Sequence, residues 1–90
     1  MKTYEKKPDE VLDYGFDWSK EFPDDPVQTS TWVIDAGLTT HDLTHDASST
    51  TFWASGGMLR ARYYAVNRVT TVGGRTASRD MLIEIVKRRG

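Results

Sequence analysis

The stretch from Arg60 to Lys87, RARYYAVNRVTTVGGRTASRDMLIEIVK, decides the fold. Residues 60–72 are the longest β-patterned run, in which successive residues point to opposite faces of a strand. Both faces carry substantial side chains, which is typical of a central strand. One face has Ala61, Tyr63, Ala65, Asn67 and Val69, and the other has Arg62, Tyr64, Val66, Arg68 and Thr70. Gly73-Gly74 then supplies the positive φ angles of a tight hairpin turn. A second strand, from about Thr76 to Lys87, places alternate apolar residues inward. These inward residues are Met81, Ile83 and Ile85. The stretch therefore predicts a long β-hairpin.

The same period of two recurs outside this hairpin, whereas helical periodicity is nearly absent. Leu12, Tyr14, Phe16 and Trp18 alternate with polar residues, and Trp32 shares a strand face with Ile34. Phe52 and Ala54 point to one side of a further strand and Trp53 to the other. Six or seven short strands with turns about every ten residues favour two packed sheets, since one open sheet would leave an aromatic face in water. We predict an all-β, immunoglobulin-like or fibronectin-III-like two-sheet β-sandwich.

The 90 residues are enough for one domain and too few for two. Residues 1–10 are mostly charged and contain Pro8, a composition that buries little apolar surface. We therefore expect residues 1–10 to be a flexible charged N-terminal arm, or one that orders on a partner. The immunoglobulin-like β-sandwich should then occupy residues 11–88.

Cysteine usage and hydropathy exclude several classes of protein. The chain has no cysteine, which excludes a disulfide framework, a thiolate zinc site and cysteine catalysis, and fits folding in a reducing cytosol. No apolar stretch approaches the ~20 residues that span a bilayer, and the charged start lacks the apolar run of a signal peptide. We expect a soluble domain with no membrane partner.

Charge divides sharply between the two halves of the chain. Residues 1–50 hold eleven acids and four bases, a net charge of −7, and residues 51–90 hold two acids and eight bases, a net charge of +6. The halves could lie on different faces and make an electrostatic dipole, or interleave and neutralise each other. Lys87, Arg88 and Arg89 form a basic tip, but the overall charge balance is unfavourable for a nucleic-acid partner.

No group of residues predicts a metal, a cofactor or a catalytic centre. His41-Asp42 and His45-Asp46 are metal-ligand types, but in an extended strand residues 41 and 45 are about 13 Å apart. Ser48 and Ser49 beside them lack a nucleophile turn and an oxyanion hole. The glycine pairs lack the Lys and Ser/Thr of a phosphate loop. We predict no metal site, no cofactor and no enzymatic activity.

An outward-facing aromatic and arginine set is the candidate functional surface. Trp53 and Tyr64 should face away from the core, and arginine with these aromatics is typical of protein-interface hot spots. The predicted protein-interface residues are Trp53, Tyr64, Arg60, Arg62 and Arg68. Three alternatives remain open: the aromatics pack inside, they form a sugar-stacking platform, or the arginines only solvate the sheet and pair with acids.

The ordered set of short motifs along the chain resembles a known family. The motifs are Pro8-Asp9-Glu10-Val11-Leu12-Asp13-Tyr14, Asp17-Trp18-Ser19, Ser30-Thr31-Trp32, Gly37-Leu38, Thr50 to Gly57, Tyr63, Asn67 to Thr71, Gly74-Arg75-Thr76 and Arg79. Over roughly residues 8–87 the sequence resembles the phage fiber-tail adaptor family, small immunoglobulin-like virion structural proteins of tailed bacteriophages. It departs from the family pattern at Arg60-Ala61-Arg62 and in the paired His-Asp segment.

The resemblance implies a non-enzymatic virion structural protein that connects fibers or tail components at the head–tail or neck region. It also implies partners among other phage virion proteins, namely tail, adaptor, fiber or capsid subunits, in multiple symmetric copies. The chain would then be made in the host cytoplasm and reside in the phage particle. A capsid decoration protein and a carbohydrate-binding module are the alternative functions.

Overall fold

A computed structural model describes residues 1–88, which form seven β-strands. The strands are β1 (Lys2–Lys6), β2 (Leu12–Asp17), β3 (Val27–Ile34), β4 (Leu38–His45), β5 (Ser49–Gly56), β6 (Arg62–Thr71) and β7 (Thr76–Ile85). Across these 88 residues no helix is long and apolar enough to cross a membrane. The predicted all-β fold is confirmed.

The strands make two sheets that pack face to face. One sheet has four strands in the order β1-β7-β6-β3, and the other has three in the order β2-β5-β4. All pairings are antiparallel except the parallel pairing of β1 with β7. The two-sheet β-sandwich is therefore confirmed. The orders β2-β5-β4 and β7-β6-β3 match the orders of strands B-E-D and G-F-C in an immunoglobulin sandwich. Membership of the immunoglobulin-like fold itself stays a prediction.

The predicted β6–β7 hairpin is present and dominates the four-stranded sheet. Its register runs from Arg62 opposite Glu84 to Thr70 opposite Thr76. Gly74 has a φ of 90° in the connecting turn, a conformation that costs glycine little because it has no Cβ. Tyr63, alternating along β6 with the outward Tyr64, is buried between the sheets.

The core lies between the two sheets and holds the inward side chains that alternation predicts. Those fully enclosed include Phe52, Ala54, Met81, Ile83 and Ile85. Trp32 and Ile34 are half-buried against this cluster. The Trp32 ring stacks on Phe16 with centroids 5.8 Å apart and meets Phe52 edge-on at 4.5 Å. Burial of each large apolar side chain stabilises the fold by roughly 1.5–3 kcal/mol.

The N-terminal segment corrects the expectation of a flexible arm, because Lys2–Lys6 form β1 at the edge of the four-stranded sheet. Tyr4 lies against Tyr14, with ring centroids 5.2 Å apart. Lys6 is buried and its Nζ donates to the carbonyl of Gly56 at 2.6 Å, and its burial lowers its pKa below the usual 10.5. The partner of β1 is β7, from the opposite end of the chain, so local composition gave no sign of the pairing.

The two oppositely charged halves of the chain interleave. Each sheet contains strands from both halves. Arg75 Nη1 lies 2.6 Å from Asp25 Oδ2, and Arg79 Nη2 lies 3.3 Å from Glu21 Oε1, so two ion pairs join the halves. Opposite charges are thus neutralised locally at these two positions.

Candidate protein interface

The outer side of the four-stranded sheet presents apolar and arginine side chains together. We call this surface the sheet face, and it is made of Val33, Arg62, Tyr64, Val66 and Arg68. It exists because alternate residues of β6 point away from the core, while Tyr63, Ala65, Asn67 and Val69 between them are buried. Val33 in β3 pairs with Val66, which places two aliphatic side chains side by side.

The sheet face is largely exposed, and hydrogen bonds fix the backbone of its aromatic residue, Tyr64. Tyr64 is 47% exposed and Val33 is 73% exposed. Asp35 fixes the backbone of Tyr64 from the end of β3, since Asp35 Oδ2 accepts from Tyr64 N at 2.9 Å and Tyr64 O accepts from Asp35 N at 3.0 Å. Arg62 Nε donates to Glu84 Oε2 at 2.9 Å. The sheet face is therefore a preformed surface with an apolar middle.

Trp53 lies on the opposite side of the molecule from Tyr64, which corrects the expectation of one aromatic patch. It points out from the three-stranded sheet, 37% exposed, between Asp13 of β2 and His41 of β4. The His41 ring lies 6.2 Å from the Trp53 ring at an angle of 25°. β5 and β6 are consecutive along the chain but belong to different sheets. Trp53 and Tyr64 therefore do not form a common sugar platform.

Arg60 is separated from the other predicted arginines by its backbone conformation. β6 begins at Arg62, and Arg60 lies in the preceding loop with a φ of 73°. Its N–H donates to the carbonyl of Ile85 at 2.8 Å. Arg62 and Arg68 thus share the sheet face with Tyr64, and Arg60 lies beyond its end.

The His-Asp segment is the end of β4 and the turn that follows. Asp46 Oδ1 accepts N–H groups from Ser48 and Ser49 at 2.9 and 2.8 Å, and these hydrogen bonds lower the pKa of its carboxyl group. His41 Nε2 lies 4.0 Å from Asp42 Oδ2. Within residues 1–88 no group of three His, Cys, Asp or Glu side chains could hold a metal ion. The observed contacts of this segment shape a turn.

Met58 and Leu59 are exposed apolar residues that the sequence interpretation missed. They lie in residues 57–61, which we call the apex loop, and are 74% and 42% exposed. Two large apolar residues between Gly56-Gly57 and the next strand were the available signal, since a turn normally carries polar residues.

Comparison with known proteins supplies the family. A family model described as "Podophage GP4 fiber-tail adaptor protein gp77" matches residues 6–84. That range extends from the last residue of β1 into β7 and includes β2 to β6 completely. A search of curated proteins found no match. Because the family match spans most of the chain, this protein belongs to the podophage GP4 fiber-tail adaptor family of phage structural proteins.

Proposed function

We propose that this chain is a non-enzymatic connector in the phage particle. It joins fiber and tail components at the head–tail or neck region, and its sheet face is the contact surface. One observation carries this proposal on a chain of the fiber-tail adaptor family. Exposed Val33 and Tyr64, with half-buried Val66, make an apolar strip that Arg62 and Arg68 flank.

The composition of the sheet face suits a protein partner. Tyrosine and arginine are enriched among the residues that contribute most to protein binding, and arginines at the border can pair with carboxylates of the partner. When a partner removes exposed apolar side chains from water, the free energy of the complex is lowered. Because Asp35 already holds the Tyr64 backbone, little conformational entropy is lost there on binding.

A symmetric particle can use such a contact many times. When several copies bind together, modest affinity for each copy adds up to firm attachment through avidity. We propose that the chain is present in multiple symmetric copies, made in the host cytoplasm and then assembled into the virion. Capsid decoration is the competing location, and the experiment below distinguishes it.

The sheet face can be tested with a matched pair of variants in the phage genome. Tyr64→Ala and Trp53→Ala each remove one outward aromatic, from opposite sheets. We expect Tyr64→Ala particles to carry at least about tenfold less fiber than wild-type particles, and Trp53→Ala particles to carry the wild-type amount. Quantitative mass spectrometry of purified particles measures the fiber content. Urea unfolding of both purified variants establishes that each is folded.

Two outcomes would overturn the proposal. Normal fiber content in Tyr64→Ala particles together with fiber loss in Trp53→Ala particles would assign the contact to the three-stranded sheet. Recovery of the wild-type chain only with fiberless, tailless capsids would assign it to capsid decoration.

A further inference from the structure

The apex loop presents apolar side chains at one end of the sandwich. Met58 and Leu59 are both exposed, whereas connecting loops normally carry polar side chains. Both residues lie beyond the end of the sheet face. Beside them a groove of about 330 Å³ opens between the apex loop and the end of β7. The residues that line it are Leu59, Arg60, Arg62, Glu84, Ile85, Val86 and Lys87. Its size suits a few amino-acid side chains.

The apex loop is held rigidly although it is exposed. Ala61 N donates to Met58 O at 2.9 Å, and Met58 N donates to the hydroxyl of Tyr63 at 3.0 Å. Arg60 N donates to Ile85 O at 2.8 Å and Ile85 N donates to Ala61 O at 2.9 Å, so the loop is bonded to the end of β7. These contacts maintain Arg60 in a left-handed conformation that non-glycine residues rarely adopt.

The charges around the groove indicate the chemistry of its occupant. Three of its lining residues, Arg60, Arg62 and Lys87, are basic, and Arg88 follows directly. Glu84 is the one acid in the lining, and it is already engaged by Arg62 at 2.9 Å. Leu59 and the half-buried Val86 provide apolar surface between these charges. An apolar groove with a basic rim is complementary to a segment that carries apolar side chains and carboxylates.

We propose that the groove and the apex loop bind an extended, acidic and apolar peptide segment of another protein. Its apolar side chains pack against Met58, Leu59 and Val86, and its carboxylates pair with Arg60 and Lys87. The adaptor then has two adjoining contact surfaces, the sheet face and this end, and Arg62 lies at their border. The inference rests on the proposed function only in assigning the segment to a virion protein.

A displayed library of random twelve-residue peptides tests this inference with the purified chain. Selection against the wild type should enrich sequences that combine aspartate or glutamate with large aliphatic or aromatic residues. Synthetic copies should bind the Met58→Ser/Leu59→Ser double variant at least about tenfold more weakly, and raised salt should weaken binding. Val72→Ser, at an exposed apolar position of the β6–β7 turn, is the matched control and should bind as the wild type does.

The inference is overturned by no enrichment, by enrichment without acidic residues, or by equal binding to the double variant. Enriched sequences that reproduce the chain's own acidic segments would instead assign the groove to a second copy, which also contradicts it. Tyr64→Ala should retain peptide binding, so failure of the sheet face in particles and failure of the groove in this assay are distinguishable.

Discussion

Asn67 and Trp18 are hydrogen-bonded across the interior, with Trp18 Nε1 donating to Asn67 Oδ1 at 3.0 Å. Thr50 Oγ1 donates to the same oxygen at 2.7 Å, and Asn67 Nδ2 donates to Ser30 Oγ and Thr31 O. Asn67 belongs to the four-stranded sheet, whereas Trp18 and Thr50 belong to the three-stranded side. One buried amide therefore connects the two sheets and leaves its own donors and acceptor satisfied.

Asn67→Ala should cost about 3 kcal/mol of unfolding free energy, because it leaves the buried Trp18 N–H and the buried Thr50 hydroxyl without their shared acceptor. That is a large part of the 5–10 kcal/mol or so expected for a domain of this size. Urea unfolding followed by tryptophan fluorescence measures the loss. Arg68→Ala, on the exposed side of the same strand, is the control and should change stability by less than about 0.5 kcal/mol. Equal effects of the two variants would show that the network contributes little.

Asp25 should make the fold sensitive to acid. Its carboxylate accepts from Thr71 Oγ1 at 2.5 Å, from Arg75 Nη1 at 2.6 Å and from Gly73 N at 2.7 Å. These hydrogen bonds hold the pKa of Asp25 below its usual 3.8. The bond from Thr71 has the largest effect, and those from Arg75 and Gly73 follow. The folded-state pKa is thus below the unfolded one. The resulting stabilisation is present above about pH 4 and is lost as pH falls through the folded-state pKa.

The Asp25→Asn variant tests this linkage, because an amide of the same shape does not titrate. We expect the wild type to be more stable than Asp25→Asn at pH 7, and the difference to shrink below about pH 4. Urea unfolding between pH 7 and pH 2.5 measures both proteins. A difference that stayed constant over this range would contradict the assigned role of the carboxylate.

Gly57 and Gly74 provide a comparison of steric and backbone effects. Both have positive φ, 98° and 90°, so alanine at either position should cost about 1–2 kcal/mol in backbone strain. A Cβ on Gly57 would also lie 2.7 Å from Ile85 Cδ1, whereas one on Gly74 would meet nothing within 4 Å. The unfolding free energy of Gly57→Ala should therefore be about 1 kcal/mol lower than that of Gly74→Ala. Equal melting temperatures would mean that Ile85 gives way without cost.

Strand β1 should contribute to stability through Tyr4. Tyr4→Ala removes a half-buried ring from Tyr14 and should cost about 2 kcal/mol. Thr3→Ala, exposed on the other side of β1, should be within about 0.5 kcal/mol of the wild type. Urea unfolding measures the unfolding free energy of both variants. A neutral Tyr4→Ala would instead support the flexible arm that composition suggested.

Local alternation predicted which way most side chains point, but it did not predict which strands are neighbours. The inward positions of Phe52 and Met81 and the outward positions of Trp53 and Tyr64 followed from the period of two. The separation of Trp53 from Tyr64 depends on β5 and β6 joining different sheets, which no local pattern encodes. The pairing of β1 with β7 is equally non-local. Of the residues predicted for the candidate surface, Arg62, Tyr64 and Arg68 lie together on the sheet face. Trp53 lies on the other sheet and Arg60 lies in a loop.

A reconstruction of the intact particle by electron cryo-microscopy, with symmetry relaxed around the tail, tests the central claim most directly. The account predicts several copies of this sandwich between the tail and the fibers, with Tyr64 and Arg68 of the sheet face covered by a neighbouring protein. Density for the chain only on the capsid lattice, or particles that lack it altogether, would contradict the connector role.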